Sequence, residues 1–393
     1  MIKLWKRQKI SLPHTKIINK FCLSLFIIIY ACALLILQPI SKMPVKVYAF
    51  TQSRGECCVE IGTNTVLFEH NSHQKLPMAS TTKVITAITV LENARLSEIV
   101  EIDANCVGIE GSSIYLKESE KYTVEDLLYG LMLRSGNDAA VALALHVGKS
   151  ISGFCEMMNG ICRKVGANNT NVTNPHGLND ENHYTTAEDL AKIAAYALKN
   201  ETFKQIVSTQ KRIATELISG NKRSFINKNK LLYRDKNCYG VKTGYTKIAG
   251  RCLVSAFEND GMNLVCVVLN SPQMYERSEE ITQTCFQNYG YKLIVDKQEF
   301  EKIFSIDEMK TLTIDGDIKE IKLKNDNRKN YEARITLNDF AKTAKKGSIL
   351  GEIDIYSQNQ LIYSRKIYTL IDITNERLMQ ILKDKAQNYQ RYI

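Results

Sequence analysis

Three short stretches carry side chains whose types and spacing could do chemistry. Ser80-Thr81-Thr82-Lys83 sets a hydroxyl and an amine three residues apart. On a helix that spacing puts both on one face, within reach of each other. A serine hydroxyl is a weak nucleophile until a base takes its proton. Lysine can be that base only when its pKa, ordinarily ~10.4, is driven down. Burial and a second nearby cation both do so. A helix N-terminus also favours negative charge developing at Ser80. Ser135-Gly136-Asn137 stands at a break between two helical stretches, where polar side chains can turn into a cleft. Lys242-Thr243-Gly244 ends a strand-like run and supplies a second cation, a hydroxyl and a residue without a side chain. An extended peptide could lie along that strand, with Gly244 removing obstruction. Taken singly, each stretch has an ordinary reading: a chance spacing on a helix, a capping turn, a strand running into a turn.

Other candidates fail on their own chemistry. Gly148-Lys149-Ser150 ends like a phosphate-binding loop, but Leu143 stands where the first glycine should be. His176 and His183 are seven apart without a H-x-x-x-H pattern, so zinc hydrolysis has no support. Asp315 and Asp317 flank Gly316 in what reads as a turn. The serine–lysine chemistry needs no metal and no organic cofactor.

The elements that must position these residues can be read from periodicity. Residues 56–70 read as two strands around Gly62-Thr63-Asn64. Residues 80–93 are apolar nearly all round after the first turn, as in a helix buried at a domain centre. Residues 124–134 and 137–148 read as two helices broken at the second stretch, with Asn137 or Asp138 as N-cap. Further helices are expected at 151–165, 185–199 and 277–289, the second starting at Thr185 or Thr186. Strands at 239–243, 251–257 and 263–269 follow, the last two joined by Glu258-Asn259-Asp260-Gly261. This order implies an α+β fold, an antiparallel sheet with a helical cluster against it. Beyond residue 298 the segments 309–314, 318–323, 331–336, 348–356 and 360–370 are short and alternating, which implies a small all-β domain. A last helix is expected in 374–393, with Leu378, Met379, Ile381, Leu382 and Tyr389 as a partial apolar face. The expected division is 1–49 export segment, 50–295 catalytic domain, 298–372 β-rich domain and 373–393 helix.

The three stretches together, in this order and on these elements, form the signature of penicillin-binding proteins and serine β-lactamases. The chain resembles the low-molecular-mass penicillin-binding proteins that act as serine-type D-alanyl-D-alanine carboxypeptidases. Gly136 in the middle stretch suits that group. So do Asn174-Pro175-His176-Gly177-Leu178, the run from His183 to Leu190, Asn229-Lys230-Leu231-Leu232, and above all Gly240 to Ala256. The resemblance covers about 55–290 and, more loosely, the β-rich segment behind it. It implies a β-lactamase/transpeptidase-like fold and a role for each position. Ser80 would attack the carbonyl between two terminal D-alanines, with Lys83 as its base. Ser135 would pass a proton to the departing D-alanine, and Asn137 would bond the substrate amide. Lys242 would keep Lys83 neutral and stabilise charge. The backbone N–H groups of Ser80 and Tyr245 would form an oxyanion hole. Thr243 and Gly244 would line the peptide's path. Thr243 and Arg277 would bind the terminal carboxylate, the arginine through its planar fork; a plain surface arginine is the other reading of Arg277.

Two alternatives share the scaffold. A class A β-lactamase would carry a deacylating glutamate after the second stretch, but Asp180 is the only acid in 160–180. A catalytically silent wall-binding protein would not require Ser80, Lys83, Ser135, Asn137 and Lys242 together. The implied partners are a peptidoglycan stem peptide ending in D-Ala-D-Ala and β-lactam antibiotics.

Charge and composition set the setting. Hydrophobic content of 44% over 393 residues allows a substantial core and argues against disorder. The formal charge of +10 is mostly N-terminal: residues 1–49 hold eight basic side chains and no acid, leaving about +2 for the remainder. A nucleic-acid groove is therefore not expected. The basic stretch ends at Lys20 and 21–37 is apolar, the pattern of a secretion signal or a retained anchor. Val47-Tyr48-Ala49 offers a cleavage site. Either outcome puts the remainder outside, at the outer face of the cytoplasmic membrane or in the wall. Contact with the membrane would come through that segment or through the C-terminal helix. Of eleven cysteines, nine lie beyond the export segment, an odd number without zinc spacing. They read as small buried hydrophobes rather than a disulfide framework.

Overall fold

Burial on both faces explains why the central strands read as near-continuous apolar runs. The computed structural model describes residues 53–325, 331–338, 343–357 and 359–389. The expected export segment, with Cys22 and Cys32, and Arg391 lie outside these residues. Five antiparallel strands make the central sheet: β1 (Gly55–Glu60), β2 (Val66–His70), β3 (Cys238–Thr246), β4 (Gly250–Asn259) and β5 (Met262–Leu269). Their order is β2-β1-β5-β4-β3. In β5, Val265 and Val267 face the main core, while Leu264, Cys266 and Val268 face the other side.

The main core lies between this sheet and a helical cluster. Helix α1 (Lys83–Asn93) is buried from Lys83 to Val90. It is surrounded by α2 (Val124–Arg134), α3 (Asn137–Gly148), α4 (Ile151–Lys164) and α5 (Ala187–Leu198). That central position is why its sequence has no polar face. Thr123 caps α2 by accepting a hydrogen bond from the Asp126 amide, and Thr186 caps α5 through the Asp189 amide. Acidic residues follow in both first turns, complementing the helix dipole. The opposite face of the sheet is covered by α6 (Met274–Asn288), whose Ile281 and Cys285 pack onto it.

A second core belongs to the C-terminal segment. Strands β7 (Leu312–Ile314), β9 (Tyr331–Leu337), β10 (Ile349–Ser357) and β11 (Gln360–Thr369) form a four-stranded sheet in the order β7-β11-β10-β9. Strand β6 (Tyr289–Val295) continues directly from α6 and pairs with β8 (Ile318–Leu323). Backbone hydrogen bonds therefore tie the end of the expected catalytic segment to the β-rich one. Helix α7 (Glu376–Tyr389) turns Met379, Leu382, Ala386 and Tyr389 into this core. The Tyr389 ring lies 5.7 Å from that of Phe300 and 5.8 Å from that of Phe304, centroid to centroid. The apolar residues of this helix that were expected to form its free face, Met379, Leu382 and Tyr389 among them, pack into its own domain. Among the described residues no helix is long and apolar enough to cross a membrane.

Some elements escaped the periodicity reading. The hairpin Lys211–Thr215/Lys222–Ile226 carries lysines and exposed isoleucines outward, which hides its alternation. The helix Glu201–Ser208 is two turns long, too short to stand out. The nine described cysteines are all free and buried, as their apolar company suggested.

Truncating Leu382 to alanine removes a fully buried side chain from the second core. The expected cost is about 2–5 kcal/mol of that core's stability. Urea unfolding of the full chain measures it, and a change near zero would show that α7 does not hold there.

Candidate active site

The nucleophile candidate sits on a tight turn. Ala79–Thr82 form a 3-10 turn that feeds α1, in place of the single helix expected from residue 80. Ala79 takes a positive φ of 49° at the entrance. The turn is held from below: Thr82 Oγ1 donates to the Ala79 carbonyl at 2.8 Å and also meets His183 Nε2 at 2.8 Å. The Thr173 amide donates to His183 Nδ1 at 3.1 Å, so the proton of a neutral ring sits on Nε2. Burial drives the His183 pKa down to about 4, which keeps the ring neutral. Gly177 packs against the same turn with φ +87°, and a Cβ there would fall 1.9 Å from the Ala79 carbonyl oxygen. Only glycine fits that approach.

Lys83 is fully buried and its amine is held three ways. Nζ lies 3.1 Å from Ser80 Oγ, 2.7 Å from Asn137 Oδ1 and 2.7 Å from the His176 carbonyl. Burial, then the nearby Lys242, push its pKa well below the ordinary value, with Asp138 opposing them. Lys242 is buried as well and donates to the Thr243 carbonyl at 2.8 Å. Burial first, then Lys228, bring its pKa down to about 7. An amine beside a hydroxyl, with its pKa pushed down by burial and a neighbouring cation, is a general base in position.

The middle stretch forms one wall. Ser135 ends α2 in the left-handed conformation, with φ 64°, and Asn137 opens α3. This break turns both side chains inward. Both ends of the Asn137 amide are engaged: Oδ1 by Lys83, and Nδ2 by donating to the Glu110 carbonyl at 2.5 Å. Its side chain thus serves Lys83 in this arrangement, rather than an open amide position. Buried Asp138 was missed by sequence reasoning, where it read only as a cap. It accepts from Ser113 Oγ at 2.5 Å, from the Ile114 amide at 3.0 Å and from the Leu116 amide at 3.1 Å. These bonds lash the 112–116 loop to the start of α3.

Strand β3 forms the opposite wall. A Cβ on Gly244 would lie 3.0 Å from the Ser80 amide nitrogen and 3.1 Å from that of Thr81. Glycine lets the strand edge press against the nucleophile's turn. Between the walls is a cleft of about 400 Å³, lined by Ser80, Ser135, Thr243, Gly244 and Tyr245, with Ser112, Lys228, Arg251, Met274 and Tyr275. The last five were not singled out from the sequence, although Arg251 lies inside the Gly240–Ala256 stretch. No carboxylate lines the cleft among the described residues.

Arg277 is the expected site residue that the structure does not bring to the cleft lining. Its Nε and Nη2 each donate to Glu56 at 2.8 Å, and Nη1 donates to Glu280 at 2.8 Å. Its guanidinium also covers the Phe68 ring, 5.4 Å from the centroid. The Glu56 side chain is wholly buried, and the arginine fork satisfies both of its oxygens. A short stretch of sequence could not show that an acid 221 residues earlier claims the fork.

The sequence profile of D-alanyl-D-alanine carboxypeptidases matches residues 48–273, which spans all three stretches and both walls. The chain belongs to the D-alanyl-D-alanine carboxypeptidase family. It is 26% identical over 363 residues to the D-alanyl-D-alanine carboxypeptidase DacF of Bacillus subtilis, covering 87% of this chain and 91% of that one. The fold is similar to penicillin binding protein 5 from Haemophilus influenzae, with a TM-score of 0.61, 26% identity and coverage of 82% and 98%. It is also similar to a Streptomyces K15 DD-transpeptidase, with a TM-score of 0.57, 33% identity and coverage of 60% and 97%. The activity of the family is serine-type D-Ala-D-Ala carboxypeptidase, a hydrolase reaction, and this enzyme has it. The α+β fold with its separate all-β C-terminal domain agrees with the reading from sequence.

Gly177→Ala should both strain the chain and displace the nucleophile's turn. We expect about 1–3 kcal/mol of destabilisation and acylation slowed by about 100-fold. Thermal unfolding and the rate of labelling by fluorescent penicillin measure the two effects; unchanged labelling would show that the turn does not depend on this contact.

Proposed function

We propose that the enzyme removes the terminal D-alanine from peptidoglycan stem pentapeptides through an acyl-enzyme on Ser80. The observation that carries this reading is the buried Lys83 amine 3.1 Å from Ser80 Oγ, under the electrostatic influence of a second buried lysine, Lys242. Neutral Lys83 takes the Ser80 proton as Oγ attacks the carbonyl between the two D-alanines. The oxyanion forms against the backbone N–H groups of Ser80 and Tyr245. Ser135 relays the proton to the leaving nitrogen, and free D-alanine departs. Water then hydrolyses the ester and restores Ser80. Lys242 supplies positive charge during both steps, and Thr243 meets the leaving residue. Asn137 acts chiefly by fixing the Lys83 amine.

Penicillin fits the same path and forms the same ester. That no carboxylate among the described residues lines the cleft supports slow release of that adduct, since none of them stands ready to activate the deacylating water. This favours the carboxypeptidase over a β-lactamase. The organised base favours it over a silent wall-binding protein. The N-terminal basic and apolar segment supports export, and the substrate class supports action at the cell wall. Membrane contact, on this reading, is left to that segment rather than to α7.

The purified protein should release D-alanine from a pentapeptide ending in D-Ala-D-Ala. Ser80→Ala should abolish both this and covalent penicillin labelling without unfolding the chain. Persistent labelling would move the nucleophile elsewhere.

The two lysines also set a pH dependence. Acylation rises as Lys83 loses its proton, and falls as Lys242 loses its charge near pH 7. The profile of kcat/KM should therefore be bell-shaped. In Lys242→Arg the cation keeps its charge across the range, so the alkaline fall should disappear even though the rate is lower. An alkaline limb of unchanged position in that variant would refute the electrostatic role of Lys242.

A further inference from the structure

We infer that Arg251, and not Arg277, is the guanidinium that takes the free carboxylate of the terminal D-alanine. The inference rests on the carboxypeptidase reading of the Ser80 cleft and deepens it by naming the residue that selects a C-terminal acid.

Position comes first. Thr243 and Tyr245 are two apart on β3 and so project from the same sheet face. Arg251 is the register partner of Tyr245 on β4. Residues directly opposite in an antiparallel pair share a face, with Cβ atoms roughly 4.5–5.5 Å apart. Thr243, Tyr245 and Arg251 therefore project together, and all three line the cleft that holds Ser80. A peptide laid along the β3 edge carries its last residue past this group.

Availability separates the two arginines. The Arg251 side chain is exposed and makes no ion pair or hydrogen bond among the described residues. Arg277 has its fork closed on Glu56 and its remaining nitrogen on Glu280. A substrate carboxylate would have to displace an acid that is itself wholly buried, leaving that charge unpaired. Arg251 has no such competitor among the described residues, since none of those lining the cleft is a carboxylate.

The surrounding charge points the same way. Lys228 stands elsewhere on the lining, its Nζ 3.2 Å from Ser112 Oγ, and it too has no acid partner. Burial, then Arg134, lower its pKa, so like charges already crowd this region. An incoming carboxylate relieves that repulsion. Of the unpaired cations, only Arg251 offers a planar fork that matches both carboxylate oxygens. Lys228 contributes as a point charge.

The test compares one acyl-D-Ala-D-Ala peptide as the free acid and as the C-terminal amide, in the full-length enzyme. Wild type should prefer the acid. Arg251→Gln should cut that preference by about 10- to 100-fold, chiefly through KM, and Arg251→Lys should restore part of it. Arg277→Lys, which keeps a cation beside Glu56, should retain the wild-type preference. Full preference in Arg251→Gln overturns the inference, as does its loss in Arg277→Lys. If wild type releases neither D-alanine from the acid nor D-alaninamide from the amide, the activity reading has failed, and Arg251 is not what failed it.

Discussion

Two buried lysines that feel each other's charge, one of them with its amine 3.1 Å from the Ser80 hydroxyl, form the constraint on which this structure depends. Each is unfavourable to bury, and together they repel, so the fold must hold them where neither would stay in water. The cost is offset by polar groups aimed at Lys83. The Asn137 side chain and the His176 carbonyl accept from it at 2.7 Å each, and Asp138 is the acid whose field opposes the shift. What remains is an amine that loses its proton far more easily than a solvated lysine does. In the proposed reaction that loss is the source of reactivity, so stability is given up where chemistry is gained.

Most of the catalytic domain can be understood as the means of keeping that arrangement rigid. Helix α1 is central because Lys83 must be dry. The break between α2 and α3 turns Ser135 and Asn137 inward, and Asp138 then binds the 112–116 loop to the same point. Glycines stand at the closest approaches. Gly177 lies against the nucleophile's turn, and Gly244 lets β3 meet it edge-on. The buried histidine His183 belongs to this scaffold, since it supports Thr82 and stays neutral.

Charge is arranged with the same economy. The acid nearest Lys83, Asp138, is locked by the 112–116 loop, and no carboxylate lines the cleft among the described residues. The open cations are left facing the cleft. A surface built this way attracts a peptide that ends in a carboxylate. The C-terminal domain stands on a core of its own, with α7 as a structural member rather than a spare amphipathic helix.

Periodicity and spacing determined much of this protein. The helices at 124–134 and 137–148 and the strands β4 and β5 were legible because each buries apolar residues at a regular interval. Ser80, Lys83, Ser135, Asn137, Lys242, Thr243 and Gly244 could be singled out because three short motifs in this order resemble one family's signature, and the structure brings Ser80, Lys83 and Asn137 into hydrogen-bond contact. Three things were decided only by tertiary structure. Arg277 is claimed by Glu56, Arg251 and Lys228 come to the cleft unpaired, and α7 is consumed by its own core. The reason is the same in each case. Local sequence specifies which groups a segment offers, but a charge or an apolar face is used by whatever lies nearest in space. For Arg277 that neighbour comes from a strand at the far end of the domain.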